Sequence, residues 1–163
     1  MNAAQSQATI SGSWQEYRSG VRTGALVYFT PTDGGRSTST RPKSKEDCTV
    51  RALALATGVS FDKAYDVLAI AGRKPHQRFA FKLWANSLAP RYTLRVELRW
   101  HPFQAVKGES RMNPAKFCTQ FLNGRWIVRT AKHVFAVIDG VVLDETSPRP
   151  DRCIYGAWEV IGL

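Results

Sequence analysis

The chain of 163 residues has few histidines and cysteines, the residues that most often act as catalytic bases, nucleophiles or metal ligands. Its histidines are His76, His101 and His133, and its cysteines are Cys48, Cys118 and Cys153. An odd number of cysteines at wide, unrelated spacings predicts neither a disulfide framework nor a paired zinc site, so we expect reduced thiols and no metal. Any cysteine–histidine chemistry therefore has only three candidate bases.

Long apolar runs are absent, and acidic residues are in short supply. No segment approaches the roughly 20 apolar residues that span a bilayer, and the first residues lack a basic region followed by an apolar one, so a cytoplasmic location without membrane contact is expected. Lys and Arg number 23 against 13 Asp and Glu, a net charge of +10. This charge predicts attraction to nucleic acid, acidic proteins or anionic surfaces, although no block of five or six basic residues marks a dedicated DNA-binding motif.

The length fits one domain. Residues 1–23, rich in Ser, Gln, Gly and Arg, are expected to be flexible, with Trp14 and Tyr17 as the large anchors, and residues 24–163 are expected to form a single domain. Helical spacing dominates the first half and strand patterns the second, which predicts an α+β fold with N-terminal helices packed on one face of a C-terminal antiparallel sheet.

Individual elements follow from local signals. The predicted helices start at Cys48, after a Ser60 cap, after Pro75 and after an Asn113 cap, the third ending before Pro90 and the last burying Cys118. The predicted strands are 25–29, 92–100, 125–130, 133–138, 141–144 and 154–160, with a hairpin turn at Asp139-Gly140.

Cys48 opens an alanine- and leucine-rich helix that ends at Gly58. The unpaired N–H groups at a helix N-terminus lower the pKa of a nearby thiol, which favours a nucleophile. A small apolar residue at the start of a core helix is the alternative interpretation of Cys48.

His133 begins a nearly unbroken apolar strand, and Asp144 ends the strand that follows. A two-residue hairpin between these strands brings their outer ends side by side, so we expect the carboxylate to orient the imidazole toward a thiol. Two other carboxylates compete: Asp139 is explained by turn chemistry, and Glu145 is expected to point to the opposite side of the strand.

The order Cys, His, Asp on this layout resembles the papain-like cysteine hydrolase superfamily. The segments Asp33-Gly34-Gly35-Arg36, 47–54, 124–125, 133–140, Asp144 and 152–156 look more closely like a family of small phage and prophage proteins without an established activity. The resemblance covers most of residues 33–158 and implies a papain-like fold and a phage or mobile-element origin, with the host cytoplasm as location. It also implies Cys48 as nucleophile, His133 as general base and then acid, and Asp144 as the orienting residue.

The chain departs from papain-like proteases at position 42, where Pro42 replaces a glutamine that donates to the oxyanion. The oxyanion hole would need the Cys48 backbone N–H and another donor, for which Ser44 and Lys45 are candidates. The basic loop before the cysteine would favour an acidic protein or peptide substrate, such as a host protein. The substrate-binding candidates in this loop are Arg36, Arg41 and Lys43.

Two alternatives remain. One is a non-catalytic protein of the same fold that binds a host protein or nucleic acid through its positive charge. The other is a zinc site made by Cys48, His133 and Asp144, although no local Cys/His pair supports it. A phosphate-binding cofactor loop is not indicated, because Asp33-Gly34-Gly35-Arg36 leads into a polar loop and not into a helix.

Overall fold

The computed structural model of the chain describes residues 13–16 and 26–162. Of the segment predicted to be flexible, Ser13–Glu16 forms an edge strand, and its other residues, Tyr17 among them, lie outside the described residues. No helix within the described residues has both the length and the apolar character that crossing a membrane requires.

The described part of the chain is a mixed α+β structure, as predicted. Its helices are α1 (Cys48–Thr57), α2 (Phe61–Ile70), α3 (Phe81–Ala85), α4 (Ala89–Leu94) and α5 (Pro114–Gln120), with a 3-10 turn at Arg36–Thr38. Its strands are β1 (Ser13–Glu16), β2 (Leu26–Pro31), β3 (Val96–Pro102), β4 (Arg125–Thr130), β5 (His133–Ile138), β6 (Val141–Asp144) and β7 (Ile154–Gly162). The predicted caps are confirmed, because Ser60 accepts from the N–H of Lys63 and Asn113 accepts from that of Lys116.

The strands form one sheet in the order β1-β2-β6-β5-β4-β7-β3. Neighbouring strands are antiparallel except for β2 and β6, which run parallel. The sheet is therefore not confined to the C-terminal half, since β1 and β2 come from the N-terminal part of the chain. The parallel register sets Pro31 beside Asp144, and the N–H of Thr32 donates to the Asp144 carbonyl at 2.8 Å. The loop after β2 thus begins beside the end of β6.

Helices lie on both faces of the sheet, which corrects the prediction of a single helical face. One core cluster lies between the helices α1, α2, α3 and α4 and one face of the sheet, which contributes residues such as Ile127, Ala136 and Trp158. The other joins α5, through Phe117 and Cys118, to residues on the opposite face. The reason is the apolar character of both faces of the central strands: Val134 to Val137 are all buried. A strand that is apolar on both sides needs cover on both sides.

The strand predicted for residues 92–100 was wrong in its first part. The chain is helical through Leu94, and β3 begins only at Val96. Pro90 sits in the first turn of α4, where its missing N–H costs no hydrogen bond, and Arg95 ends the helix in a left-handed conformation with φ of 55°. Tyr92 is 77% exposed and so takes no part in the core.

Candidate active site

The β5–β6 hairpin brings His133 and Asp144 together, as predicted. The pairing of Ala136 with Leu143 leaves Asp144 one residue further along, diagonally across from His133 on the same face of the sheet. The imidazole Nε2 lies 2.5 Å from Asp144 Oδ2. Because a carboxylate can only accept, this nitrogen carries the proton and donates it to Asp144.

Cys48 is the first residue of α1, and this helix packs against β5. The His133 side chain and the backbone N–H of Val134 both interact with the Cys48 sulfur, and each interaction lowers the pKa of the thiol. Since Nε2 of the imidazole is bonded to Asp144, the ring nitrogen that faces the sulfur is Nδ1. The three predicted catalytic residues therefore lie together, with the thiol beside the imidazole and the imidazole bonded to the carboxylate.

The protonation of Cys48 and His133 follows from their surroundings. Burial by itself would raise the pKa of the Cys48 thiol, but hydrogen bonds from His133 and Val134 and the nearby positive charges lower it below its ordinary value of 9.0. Burial by itself would likewise lower the pKa of His133, yet bonding to Asp144 and Cys48 raises it from 6.5 to about 9. The imidazolium form of His133 is therefore favoured near neutral pH, and its charge shifts the Cys48 thiol toward the thiolate.

Asp144 is 4% exposed and stays ionised. Its burial would raise the pKa of the carboxyl, but the bond and charge of His133 and the charge of Arg51 hold this pKa below 3.8. A buried, ionised carboxylate fixes which ring nitrogen carries a proton, and it stabilises the positive charge on the imidazole. This arrangement can present a thiolate nucleophile together with a proton donor.

Two further residues at the site, Asp47 and Arg51, were not predicted. Arg51 Nε donates to Asp47 Oδ1 and Arg51 Nη1 donates to Asp144 Oδ1, each at 2.8 Å. Both residues are at least 95% buried. Their sequence signal is an arginine four residues after an aspartate, on one face of a helix that is otherwise apolar.

The competing carboxylates have other partners. Asp139 lies at the opposite end of the hairpin with φ of 49° and accepts from the N–H of Gly124, which is a turn role. Glu145 forms an ion pair with Arg36 and lies 3.5 Å from Arg51 Nη2. Asp144 is therefore the carboxylate that contacts His133.

The substrate-binding candidates are largely engaged with their own chain. Arg36 contacts Asp47 and Glu145, and Arg41 Nε and Nη2 form a bidentate pair with Asp66, with both distances at 2.7 Å. Lys43 Nζ donates to the carbonyl of Ser37, at 3.5 Å. Contact of these side chains with a substrate stays a prediction.

The oxyanion candidates Ser44 and Lys45 differ in exposure. Ser44 is 4% exposed, and its hydroxyl oxygen accepts from the N–H groups of Glu46 and His76 at 3.2 and 3.3 Å. Lys45 is exposed. Their role as donors stays a prediction. Pro42 is exposed as well.

The remaining cysteines, Cys118 and Cys153, are free thiols as well. Cys118 is buried in the second core cluster, as predicted, and burial raises the pKa of its thiol to about 12. Within residues 13–16 and 26–162, no three or more His, Cys, Asp or Glu side chains are arranged to hold a metal ion. Comparison with protein-family models, with curated proteins and with solved structures found no match to this chain.

Proposed function

We propose that the protein is a thiol hydrolase with a papain-like active site, which cleaves a peptide, isopeptide or other amide bond. The observation that carries the proposal is the continuous chain Cys48–His133–Asp144, in which the thiol pKa is lowered and the imidazole pKa is raised to about 9. Strongly perturbed titratable groups that hydrogen-bond to one another are typical of catalytic sites.

The reaction would proceed by acyl transfer. The Cys48 thiolate attacks the carbonyl carbon of the amide and forms a tetrahedral oxyanion. When the intermediate collapses, the carbon–nitrogen bond breaks and His133 gives its Nδ1 proton to the leaving amine. The thioester that remains is attacked by water, whose proton passes to His133. The carboxylic acid is released and the thiolate forms again.

The oxyanion would be held at the N-terminus of α1. Asp47 occupies the N-cap position, but its carboxylate makes no cap hydrogen bond and instead contacts Arg51 and Arg36. The first N–H groups of α1, that of Cys48 included, therefore have no side-chain cap and lie at the positive end of the helix. They could replace the donor that Pro42 cannot supply, with Ser44 or Lys45 as further donors.

An acidic protein or peptide is the proposed class of substrate. Arg36 and Arg41 are each paired with a carboxylate. Any free positive charge near the N-terminus of α1 must therefore come from other residues. Lys43, Lys45 and Lys74 have no carboxylate within 4.0 Å in the part of the chain that the structure describes. The segment that carries Lys74 is tied to the segment that carries Lys45, because Arg73 Nη2 donates to the Glu46 carbonyl at 3.1 Å.

Alkylation with iodoacetamide tests the nucleophile without a known substrate. We expect wild-type protein to be labelled at Cys48 well below pH 9, and the His133→Gln variant to be labelled there only at higher pH. Cys118→Ala is the matched control and should behave as wild type. Labelling of Cys48 with the profile of an ordinary thiol, unchanged by His133→Gln, would contradict the proposal.

Substrate class is tested with two peptide vinyl sulfones that differ only in Asp or Lys beside the reactive group. We expect faster modification by the acidic probe, and a smaller preference at high salt because surface charges are screened. Cys48→Ala should react with neither probe. Equal rates for the two probes would remove the acidic substrate class while leaving the thiol hydrolase intact.

A binding function is the second candidate, and the α3–α4 surface favours it. Leu83, Leu88 and Tyr92 are each at least 65% exposed. Residues 67–96 around them contain no Asp or Glu, and besides the buried Arg73 they contain five exposed Lys or Arg. Such a surface suits an acidic host protein or nucleic acid. If binding is the sole function, pull-down of the partner should weaken steeply with salt and be unaffected by Cys48→Ala.

A further inference from the structure

Arg51 is a buried charge in the middle of an apolar helix. Its side chain is 6% exposed, whereas the neighbouring helical residues Val50, Ala52 and Leu53 belong to the core. An ionised group in such surroundings is costly unless it is paired and hydrogen-bonded. Arg51 is fully engaged, because it lies within 3.5 Å of the carboxylates of Asp47, Asp144 and Glu145.

The positions of two of these carboxylates give Arg51 a part in the proposed site. Asp47 immediately precedes Cys48, and Asp144 is the residue that contacts His133. The planar guanidinium binds Asp47 through Nε and Asp144 through Nη1. A rigid fork of this kind holds its two acceptors at a fixed separation, which a flexible lysine ammonium cannot do.

The Asp144 carboxylate is consequently shared between two side-chain donors, and its Oδ1 also accepts from the backbone N–H of Glu145 at 2.8 Å. Oδ1 accepts from Arg51 and Oδ2 accepts from His133. A carboxylate that is held at one oxygen has its plane fixed, and the imidazole bound at the other oxygen is oriented as well. The same guanidinium therefore sets the start of α1 and the direction of the imidazole.

The loop after β2 supports this arrangement. Gly34 has φ of 66°, and a Cβ at this position would lie 3.3 Å from both Cα and Cβ of Arg51. The glycine thus lets the loop lie directly against α1. Two residues later, Arg36 reaches Asp47 and Glu145, which also face Arg51. Arg36 thereby offsets the excess of negative charge around Arg51.

We propose that Arg51 is a positioning residue that sets the Cys48–His133–Asp144 chain by locking Asp47 and Asp144 to one guanidinium group. The inference rests on the proposed function, since it assigns Arg51 a role in that same site. It requires the shape of the guanidinium and not only its charge. The Asp33-Gly34-Gly35-Arg36 segment then serves to build this network.

The test is the pH dependence of Cys48 alkylation by iodoacetamide in Arg51→Lys. The substitution keeps a positive charge and removes the fork. We expect the labelling midpoint to move up by at least about one pKa unit, which makes the rate about tenfold slower at pH values below both midpoints. The control is Arg125→Met, because the Arg125 side chain reaches α1 at its far end, where Nη1 donates to the Ala56 carbonyl at 3.5 Å. Its profile should match wild type.

The outcomes separate this inference from the proposed function. If wild-type Cys48 labels as an ordinary thiol, the hydrolase fails and the positioning role fails with it. If wild type is reactive at low pH and Arg51→Lys has the same profile, only the role of Arg51 is overturned. If Arg51→Lys does not fold by far-UV circular dichroism, Arg51 is a residue of the fold and the positioning role is again overturned.

Discussion

The His133–Asp144 pair should make folding stability depend on pH in a defined window. The pKa of His133 is raised from 6.5 to about 9 in the folded protein, against burial, by bonding to Asp144 and Cys48. A group with a raised folded pKa contributes stability that is fully present below its unfolded pKa and is lost as pH rises through the folded value. We therefore expect the contribution of His133 to be complete below about pH 6.5 and absent above about pH 9.

The size of this contribution follows from the two pKa values. Their difference of about 2.5 corresponds to about 3 kcal/mol, at about 1.4 kcal/mol per pKa unit. The imidazole is 33% exposed, so solvent screens part of the interaction. We accordingly expect the raised pKa of His133 to contribute about 1.5 kcal/mol to the unfolding free energy.

The perturbation is His133→Gln, made in a Cys48→Ala background so that the Cys48 thiol does not titrate in the same window, and the assay is urea unfolding with and without His133 at intervals from pH 5.5 to 9.5. The stability advantage that His133 gives in this background should fall by up to about 1.5 kcal/mol over this range. His101→Gln is the matched control. His101 Nε2 lies 3.1 Å from a carboxylate oxygen of Glu159, and the imidazole is 35% exposed, much like that of His133. The carboxylate differs, because Glu159 is 33% exposed whereas Asp144 is buried. Loss of that surface pair should cost less than about 1 kcal/mol at any pH. An advantage for His133 that is constant or grows with pH would refute the reasoning.

Three other substitutions or probes test the packing. Gly156→Ala should lower the unfolding free energy by about 1 to 3 kcal/mol in urea titrations, since a Cβ there would lie 2.2 Å from the Trp100 ring and 2.8 Å from the His101 carbonyl oxygen; unchanged stability would contradict this packing. Asn113→Ala should cost about 1 kcal/mol by removing the cap of α5, and an unaltered thermal midpoint would argue against the cap. Cys118 should resist iodoacetamide at pH 8 in the folded protein, because burial raises the pKa of its thiol to about 12, and should be labelled in urea; rapid labelling of the native protein would show that it is not core.

Local signals predicted the elements that carry the candidate triad. The Asp139-Gly140 turn with its flanking apolar runs specified both strands of the hairpin, and so the approach of His133 to Asp144. The start of α1 at Cys48 followed from the apolar run and from Gly58, which ends the helix in a left-handed conformation. These features depend on residues that are close in sequence, and the structure confirms their placement.

Nonlocal packing escaped prediction. The parallel pairing of β2 with β6 joins residues more than 100 positions apart, and no turn specifies it. The position of α5 on the second face depends on how the whole sheet is covered. The alternation of residues 92–100 matched a strand, yet Leu94 lies in a helix, because Pro90 starts a helical turn that period-2 counting does not detect.

The hidden part of the candidate site is electrostatic. Arg51 could have been noticed as a charge within an apolar helix, but its partners Asp144 and Glu145 are more than 90 positions away. Only the folded chain shows that Asp47 turns toward Arg51 and not toward the N–H groups of α1. The sequence therefore predicted which residues meet, and the structure adds the groups that set their charge.

The turned-away Asp47 links the two unusual features of the proposed site. A capping aspartate would satisfy N–H groups of the first turn of α1 and would bring a negative charge to the place where an oxyanion develops. Arg51 and Arg36 hold that carboxylate instead, so the helix N-terminus keeps its partial positive charge beside the Cys48 sulfur. In the proposed mechanism, the buried network around Arg51 orients the imidazole through Asp144. It also leaves the first backbone N–H groups of α1 free to donate to the oxyanion, a role that Pro42 cannot fill because it has no N–H.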